Sequence, residues 1–127
     1  MWRRGGVTEA ALGWGMNKTL RQQLVEDIIA ILQQARPLIA AIERKDRALG
    51  TQLRRSLSSI PLNVAEAFGA SGGNTRLRFR TALGSLYESQ AALQVAAAWR
   101  YVDQAQAAAL VRELEIFGGR LYGLARM

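Results

Sequence analysis

Histidine and cysteine are both absent from the chain. Without cysteine there is no disulfide framework and no thiol chemistry, which fits a reducing compartment. Without histidine the usual base at neutral pH and a common metal ligand are missing, so hydrolytic, redox and zinc chemistries lose their ordinary residues. The composition therefore predicts a protein that is not an enzyme and that uses neither a metal nor a cofactor.

Long hydrophobic runs are absent as well. Residues 1–15 are interrupted by Glu9 and by glycines, and so lack the continuous apolar stretch of a signal peptide. No later segment reaches the roughly 18 apolar residues of a membrane span. We therefore expect a cytoplasmic protein that does not contact a membrane. Residues 1–16 are interpreted as a disordered extension, either an ordinary tail or a stretch upstream of a start at Met16, and residues 17–127 as one domain.

The chain does contain four consecutive segments with heptad-spaced stripes. These stripes are Leu24, Ile28, Leu32, Ala35 and Ile39; Leu53, Leu57, Ile60, Val64 and Phe68; Phe79, Leu83, Leu86 and Gln90; and Leu110, Leu114, Phe117 and Leu121. Facing pairs in neighbouring segments keep a constant sum of residue numbers, so the chain must reverse near residues 46, 71–72 and 100. The pattern predicts an all-α fold, an antiparallel up-down-up-down four-helix bundle.

Capping residues indicate where the four helices begin and end. The predicted boundaries are Thr19 with Gln22 (or Asn17) to about Ile42, Asp46 to about Phe68, Asn74 to about Ala98, and Asp103 with Gln106 to about Leu124. Trp99, Arg100 and Tyr101 then form the last turn. Amphipathic rings that seal the end of the bundle are the commoner explanation for this pair of aromatics, and a ligand platform is the alternative.

The net charge of +7 comes almost wholly from residues 44–80. Arginine supplies 15 of the 17 cations in the chain, and its planar guanidinium suits phosphate and carboxylate groups. The candidate RNA- or DNA-binding residues are Arg44, Lys45, Arg47, Arg54, Arg76, Arg78 and Arg80. They fall into two groups toward opposite ends of the bundle, so one subunit does not present one patch. Oligomerisation could join the groups, and the alternative is that the cations merely solvate helix faces.

The outward faces of helices 2 and 3 carry small or apolar residues where a free bundle surface would carry long charged ones. We interpret them as a subunit interface, with the helix propensity of alanine as the alternative explanation. The candidate interface residues are Arg55, Ser59, Leu62, Glu66, Leu77, Gly84, Ser85, Glu88 and Ala91. Arg55 and Glu88 stand at the same height but point outward, so we predict that they pair across a subunit boundary.

Two motifs on helices 2 and 3 resemble a known family. Gln52, Arg54 and Arg55 precede the run SIPLNVAEAFG at residues 59–69, and GSLYE follows at residues 84–88. Over about residues 20–125 this pattern resembles the bacterial four-helix-bundle family of the ribosomal RNA intervening-sequence proteins, which usually has glycine in place of Ala67. A related branch resembles the accessory variability determinant of diversity-generating retroelements, a basic barrel that binds nucleic acid and a reverse transcriptase.

The resemblance implies a cytoplasmic, ring-forming homo-oligomer, commonly a pentamer, with no established catalytic activity. It leaves open which branch this chain joins, because the motifs lie on the shared scaffold. Two functions therefore stand side by side. The first is a scaffold whose basic surface binds RNA or DNA. The second is a structural or protein-interaction protein whose arginines serve assembly, with a reverse transcriptase as a possible partner in the retroelement branch.

Overall fold

The computed structural model describes residues 18–127. The predicted extension at residues 1–16 lies outside this range, as does Asn17. The described chain forms four helices and no strand: α1 (Leu20–Lys45), α2 (Arg47–Gly69), α3 (Gly73–Ala98) and α4 (Gln104–Ala125). Each helix packs against the next one along the chain, and α1 also contacts α4. The predicted up-down-up-down bundle is therefore confirmed.

Three of the four predicted helix starts are confirmed by their capping hydrogen bonds. Thr19 forms a complete capping box with Gln22: the Gln22 N–H donates to Thr19 Oγ1 at 3.2 Å, and the Thr19 N–H donates to Gln22 Oε1 at 2.9 Å. Asp46 and Asp103 each accept a backbone N–H three residues ahead, both at 3.0 Å. Asp46 also ends α1, because its own N–H donates to Ile42 O at 2.7 Å.

The prediction that Asn74 caps the third helix is wrong. The helix begins at Gly73, and its N-cap is Gly72, which has a φ of 59° and no side-chain capping bond. Glycine adopts this left-handed conformation without a steric cost, so the chain reverses before it reaches Asn74. The backbone N–H of Asn74 donates instead to Ser71 O at 3.2 Å.

The hydrophobic core follows the predicted stripes in most layers. Leu53, Leu57, Ile60 and Val64 of α2 and all four predicted residues of α4 are buried. In α1 the predicted stripe residue Leu32 is only half-buried, and its neighbour Ile31 is buried instead. The shift of one residue has a packing reason. α1 lies between α2 and α4, and Ile31 lines the cleft to α4 with Phe117.

Two other stripe positions depart from the prediction. Phe68 is 39% exposed at the end of α2, where its ring meets Phe79 edge-on with centroids 5.6 Å apart. Gln90 is half-buried, and its Nε2 donates to Val111 O at 3.1 Å. A polar side chain can occupy this core-edge position because it finds a backbone acceptor on α4.

A polar contact joins the first and last helices of the bundle, α1 and α4. Arg120 Nη1 lies 2.7 Å from Asp27 Oδ2, and its guanidinium carbon lies 5.3 Å from the centroid of the Phe117 ring. This pair is exposed, so it contributes at most about 1 kcal/mol.

Among residues 18–127, no helix has the length and the hydropathy of a membrane span.

Candidate nucleic-acid interface

The bundle topology places most of the predicted basic residues toward its two opposite ends. The α1–α2 turn, residues 44–47, and the α3–α4 turn, residues 99–103, lie at one end, which we call the two-turn end. The α2–α3 turn lies at the other, which we call the one-turn end. The 23 residues of α2 separate them by about 35 Å. Arg44, Lys45 and Arg47 therefore lie far from Arg76, Arg78 and Arg80, as the sequence indicated.

Two of the seven candidate cations already have carboxylate partners. Arg54 holds Glu43 in a two-pronged contact, with Nη1–Oε2 at 2.6 Å and Nη2–Oε1 at 2.8 Å. Arg78 Nε lies 3.1 Å from Glu66 Oε1. Both arginines thus form ion pairs between neighbouring helices: Arg54 joins α2 to α1, and Arg78 joins α3 to α2. They are weaker candidates for phosphate contacts than the sequence suggested.

The other five candidates remain available to an anion. Arg44, Lys45, Arg47, Arg76 and Arg80 are all exposed. Within residues 18–127 none of them forms an ion pair. Exposed, uncompensated guanidinium and ammonium groups are the side chains that neutralise phosphates. The structure therefore leaves a basic group at each end of the subunit.

The last turn contains a residue that the sequence analysis placed differently. Tyr101 is half-buried against the core and helps to seal the two-turn end, as expected. Trp99, in contrast, is 68% exposed and does not seal the bundle. The helix stripe could have indicated this, because Trp99 directly follows the last helical residue and has no core position to fill.

Arg100 sits beside Trp99 in an unusual backbone conformation. Its φ is 61°, and the turn is a Schellman motif: the Arg100 N–H donates to Ala97 O at 3.0 Å and the Tyr101 N–H to Ala96 O at 2.9 Å. The position of Arg100 is the one that glycine usually fills in this motif, since a Cβ is disfavoured there. No sequence signal marks it, because the residue itself is not glycine.

A line of polar side chains joins α2 to α3. Ser56 Oγ and Ser89 Oγ are both buried and lie 2.7 Å apart. Ser85 Oγ donates to Ser59 Oγ at 2.8 Å, and Asn63 Nδ2 donates to Ser59 O at 2.9 Å. Each hydroxyl also has a backbone acceptor within reach, Leu53 O for Ser56 and Ser85 O for Ser89, so one serine donates to its carbonyl while the other donates to the first serine's Oγ. The serines are fully satisfied, so they fix the register of the two helices.

This line includes side chains that the sequence analysis placed in the subunit interface. Ser59 and Ser85 face each other between α2 and α3 instead of pointing outward, and both are half-buried. Glu66 is exposed but pairs with Arg78 in the same subunit. Glu88 is exposed as expected, and its carboxylate accepts from Gln52 Nε2 at 3.2 Å. These four side chains belong at least partly to the α2–α3 contact.

The other predicted interface residues form an exposed face beside that line, which we call the α2–α3 face. Leu62 is 65% exposed and Leu77 is 52% exposed. Gly84 has open space around the position of a Cβ, and Ala91 is exposed. Arg55 is exposed and forms no ion pair within the described residues. The structure thus leaves this face apolar, small and open.

A groove runs along the outer junction of α3 and α4. It comprises two adjoining cavities of about 450 and about 590 Å³ that share Gln94, Val111 and Glu115.

Across residues 18–127 no three acidic side chains gather into a metal-binding group. Glu66 and Glu88 do not form an acidic pair either: Glu66 contacts Arg78, which lies ten residues before Glu88 on α3, about 15 Å along the helix axis.

Comparisons with known proteins agree with this architecture. The model of the 23S rRNA-intervening sequence protein family matches residues 21–123, so the chain belongs to that family. A crystal structure of a protein of unknown function from the S23 ribosomal protein family of Bacteroides thetaiotaomicron superposes with a TM-score of 0.76 at 16% identity. The match covers 84% of this chain and 98% of that one, and shows a shared fold. Among curated proteins, none matches significantly.

Proposed function

We propose that this protein is a non-enzymatic, cytoplasmic scaffold that assembles into a ring of identical subunits, five being the expected number, and binds RNA or DNA on its combined basic surface. The observation that carries the proposal is the set of five exposed cations at the two ends of the bundle that form no ion pair within residues 18–127. The family description refers to 23S rRNA, which is consistent with a polyanionic partner.

Assembly explains how separated cations could act together. A ring of parallel subunits places all the two-turn ends on one rim and all the one-turn ends on the other. Each rim then carries several copies of a basic group that is small in one subunit. Phosphate contacts would supply the affinity with little base readout, because binding through the backbone charge is insensitive to sequence.

The first prediction is that binding to RNA and DNA oligonucleotides weakens steeply as salt is added. The logarithm of the association constant should fall by about 0.7 to 0.9 per neutralised phosphate for each tenfold rise in salt. Fluorescence anisotropy with labelled oligonucleotides between low and physiological ionic strength measures the slope. The double substitution Arg44→Ser with Arg47→Ser should reduce it. Binding that ignores salt, or none at low ionic strength, would rule out the proposal.

The second prediction concerns the α2–α3 face as the subunit interface. Glu88→Arg should reduce the oligomer toward monomer without loss of helix, because it places a cation opposite the neighbour's Arg55. Adding Arg55→Glu should restore part of the assembly, since the charges are exchanged. The matched control is Glu115→Arg, the same charge change in the α3–α4 groove.

Light scattering for the mass and circular dichroism for the helix content read out this experiment. The expected pattern is a reduced mass for Glu88→Arg alone. If that variant keeps the parent mass while Glu115→Arg loses it, the subunits meet through the groove and not through the α2–α3 face.

A second candidate function rests on the paired arginines. Arg54 and Arg78 already bind Glu43 and Glu66, which is what a structural or protein-interaction protein would do with its cations. Capture of partners from a lysate, with and without nuclease, separates the two functions. Partners that persist after nuclease favour a direct protein contact, for example with a reverse transcriptase. Partners that disappear favour the nucleic-acid scaffold.

A further inference from the structure

The two-turn end exposes an aromatic ring that the fold does not use. Trp99 is 68% exposed, whereas Tyr101, two residues later, packs against the core and completes the Schellman turn. The turn is therefore sealed without the indole. An exposed indole offers a large flat surface that a planar partner can cover.

The end of the bundle that carries this ring is basic. Arg100 follows Trp99 in the chain, and Arg44, Lys45 and Arg47 lie in the other turn at the same end. The nearby carboxylates are committed elsewhere. Asp46 and Asp103 cap the starts of α2 and α4, and Glu43 is held by Arg54. The end of the bundle that carries the indole thus presents cations, while the acids there contact backbone N–H groups or another guanidinium.

Arg100 adds an independent observation. Its φ of 61° lies in the region that favours glycine, so an arginine costs the turn conformational energy that glycine would not. The side chain is exposed and forms no ion pair within the described residues. No contact among the described residues uses the guanidinium, so it is available to a partner outside the subunit.

We propose that the two-turn end binds single-stranded nucleic acid, with an unpaired base stacked on the indole of Trp99 and flanking phosphates held by Arg100 and the cations of residues 44–47. This deepens the proposed function and rests on it. Aromatic stacking combined with a basic surface is how proteins hold single strands, because every base has a flat face but a duplex hides it. The inference therefore specifies a strand state, which charge alone does not.

A single-tryptophan protein gives the most direct test. Trp2→Phe with Trp14→Phe, both outside the described residues, leaves Trp99 as the sole tryptophan. Titration with an unlabelled single-stranded oligonucleotide should quench its emission, and a duplex of the same sequence should quench it much less. Equal quenching by both forms, or none by a single strand that anisotropy shows to be bound, would overturn the inference.

Substitutions at Trp99 test the energetics. Trp99→Ala should weaken single-strand binding about tenfold, leave duplex binding unchanged, and leave the thermal midpoint near that of the parent, because the side chain is exposed. Trp99→Phe should retain most of the affinity, since it keeps a flat ring. The matched control is Tyr87→Ala, which removes a 55%-exposed aromatic from the middle of α3 and should not affect binding.

Substitutions at Arg100 separate binding from structure. Arg100→Gly should raise the thermal midpoint, because it relieves the positive φ, and should lower single-strand affinity on the order of twofold to fivefold through the lost phosphate contact. Arg100→Lys should keep most of the affinity. An Arg100→Gly variant that binds as well as the parent would argue against the role of this residue.

The failure of this inference is distinguishable from that of the proposed function. If the parent protein binds single strands with a steep salt dependence and Trp99→Ala binds equally well, the basic scaffold stands and the stacking site is wrong. If the parent binds no nucleic acid at low salt, both are wrong.

Discussion

Replacing Phe117 by alanine is expected to lower the free energy of unfolding by about 3–5 kcal/mol. The ring is 2% exposed on the inner face of α4 and shares the α1–α4 cleft with Ile31. The contact between α1 and α4 is less extensive than those between successive helices, so few other side chains can move into the space that the ring leaves. The cavity therefore adds its own cost to the lost burial.

The neighbouring residue provides the control for this prediction. Ile116 is 65% exposed, so Ile116→Ala removes a large apolar side chain from the same turn of α4 without opening a cavity. It should change stability by less than about 0.5 kcal/mol. Chemical denaturation at one fixed protein concentration measures both variants, since assembly couples stability to concentration. Equal midpoints for the two variants would mean that Phe117 does not fill the core as described.

Most of the fold could be predicted because the apolar period and the capping residues agree. Thr19, Asp46 and Asp103 cap helices at the predicted positions, and the stripes of α2 and α4 are buried almost throughout. The errors arise where two residues compete for one role. Ile31 and Leu32 are both apolar, and only the position of α4 decides between them. Asn74 could cap α3 with its side chain, but Gly72 adopts a positive φ two residues earlier, so the helix begins at Gly73.

The site was less predictable because it depends on contacts between helices. Charge and sequence position identified the basic groups, but not that Arg54 would be held by Glu43 eleven residues earlier. Heptad positions alone placed Ser59 and Ser85 on the outside, whereas a hydrogen bond between their hydroxyls turns them toward each other. The exposure of Trp99, in contrast, could have been read from the helix stripe, because α3 ends at Ala98 and leaves Trp99 without a core position.

The close approach of α1 and α2 beside the two-turn end leads to the second stability prediction. Gly50 is buried, and a Cβ at this position would overlap the Cγ of Glu43 and lie 3.1 Å from that residue's Cα and backbone N. Glu43 cannot simply rotate away, because part of the obstruction is its own backbone. The side chain would also have to leave Arg54, whose guanidinium lies 2.6 Å from its carboxylate.

Gly50→Ala is therefore expected to destabilise the protein by about 1–3 kcal/mol, since overpacking outweighs the gain in helix propensity. Gly119→Ala is the matched control: it lies in the interior of α4 with nothing within 4 Å of the new Cβ, so propensity alone acts and stability should rise by up to about 1 kcal/mol. The same chemical change should thus have opposite signs at two helical glycines. Denaturation midpoints at equal protein concentration measure the sign of each change. A stabilised Gly50→Ala variant would show that α1 and α2 are farther apart near the α1–α2 turn than described.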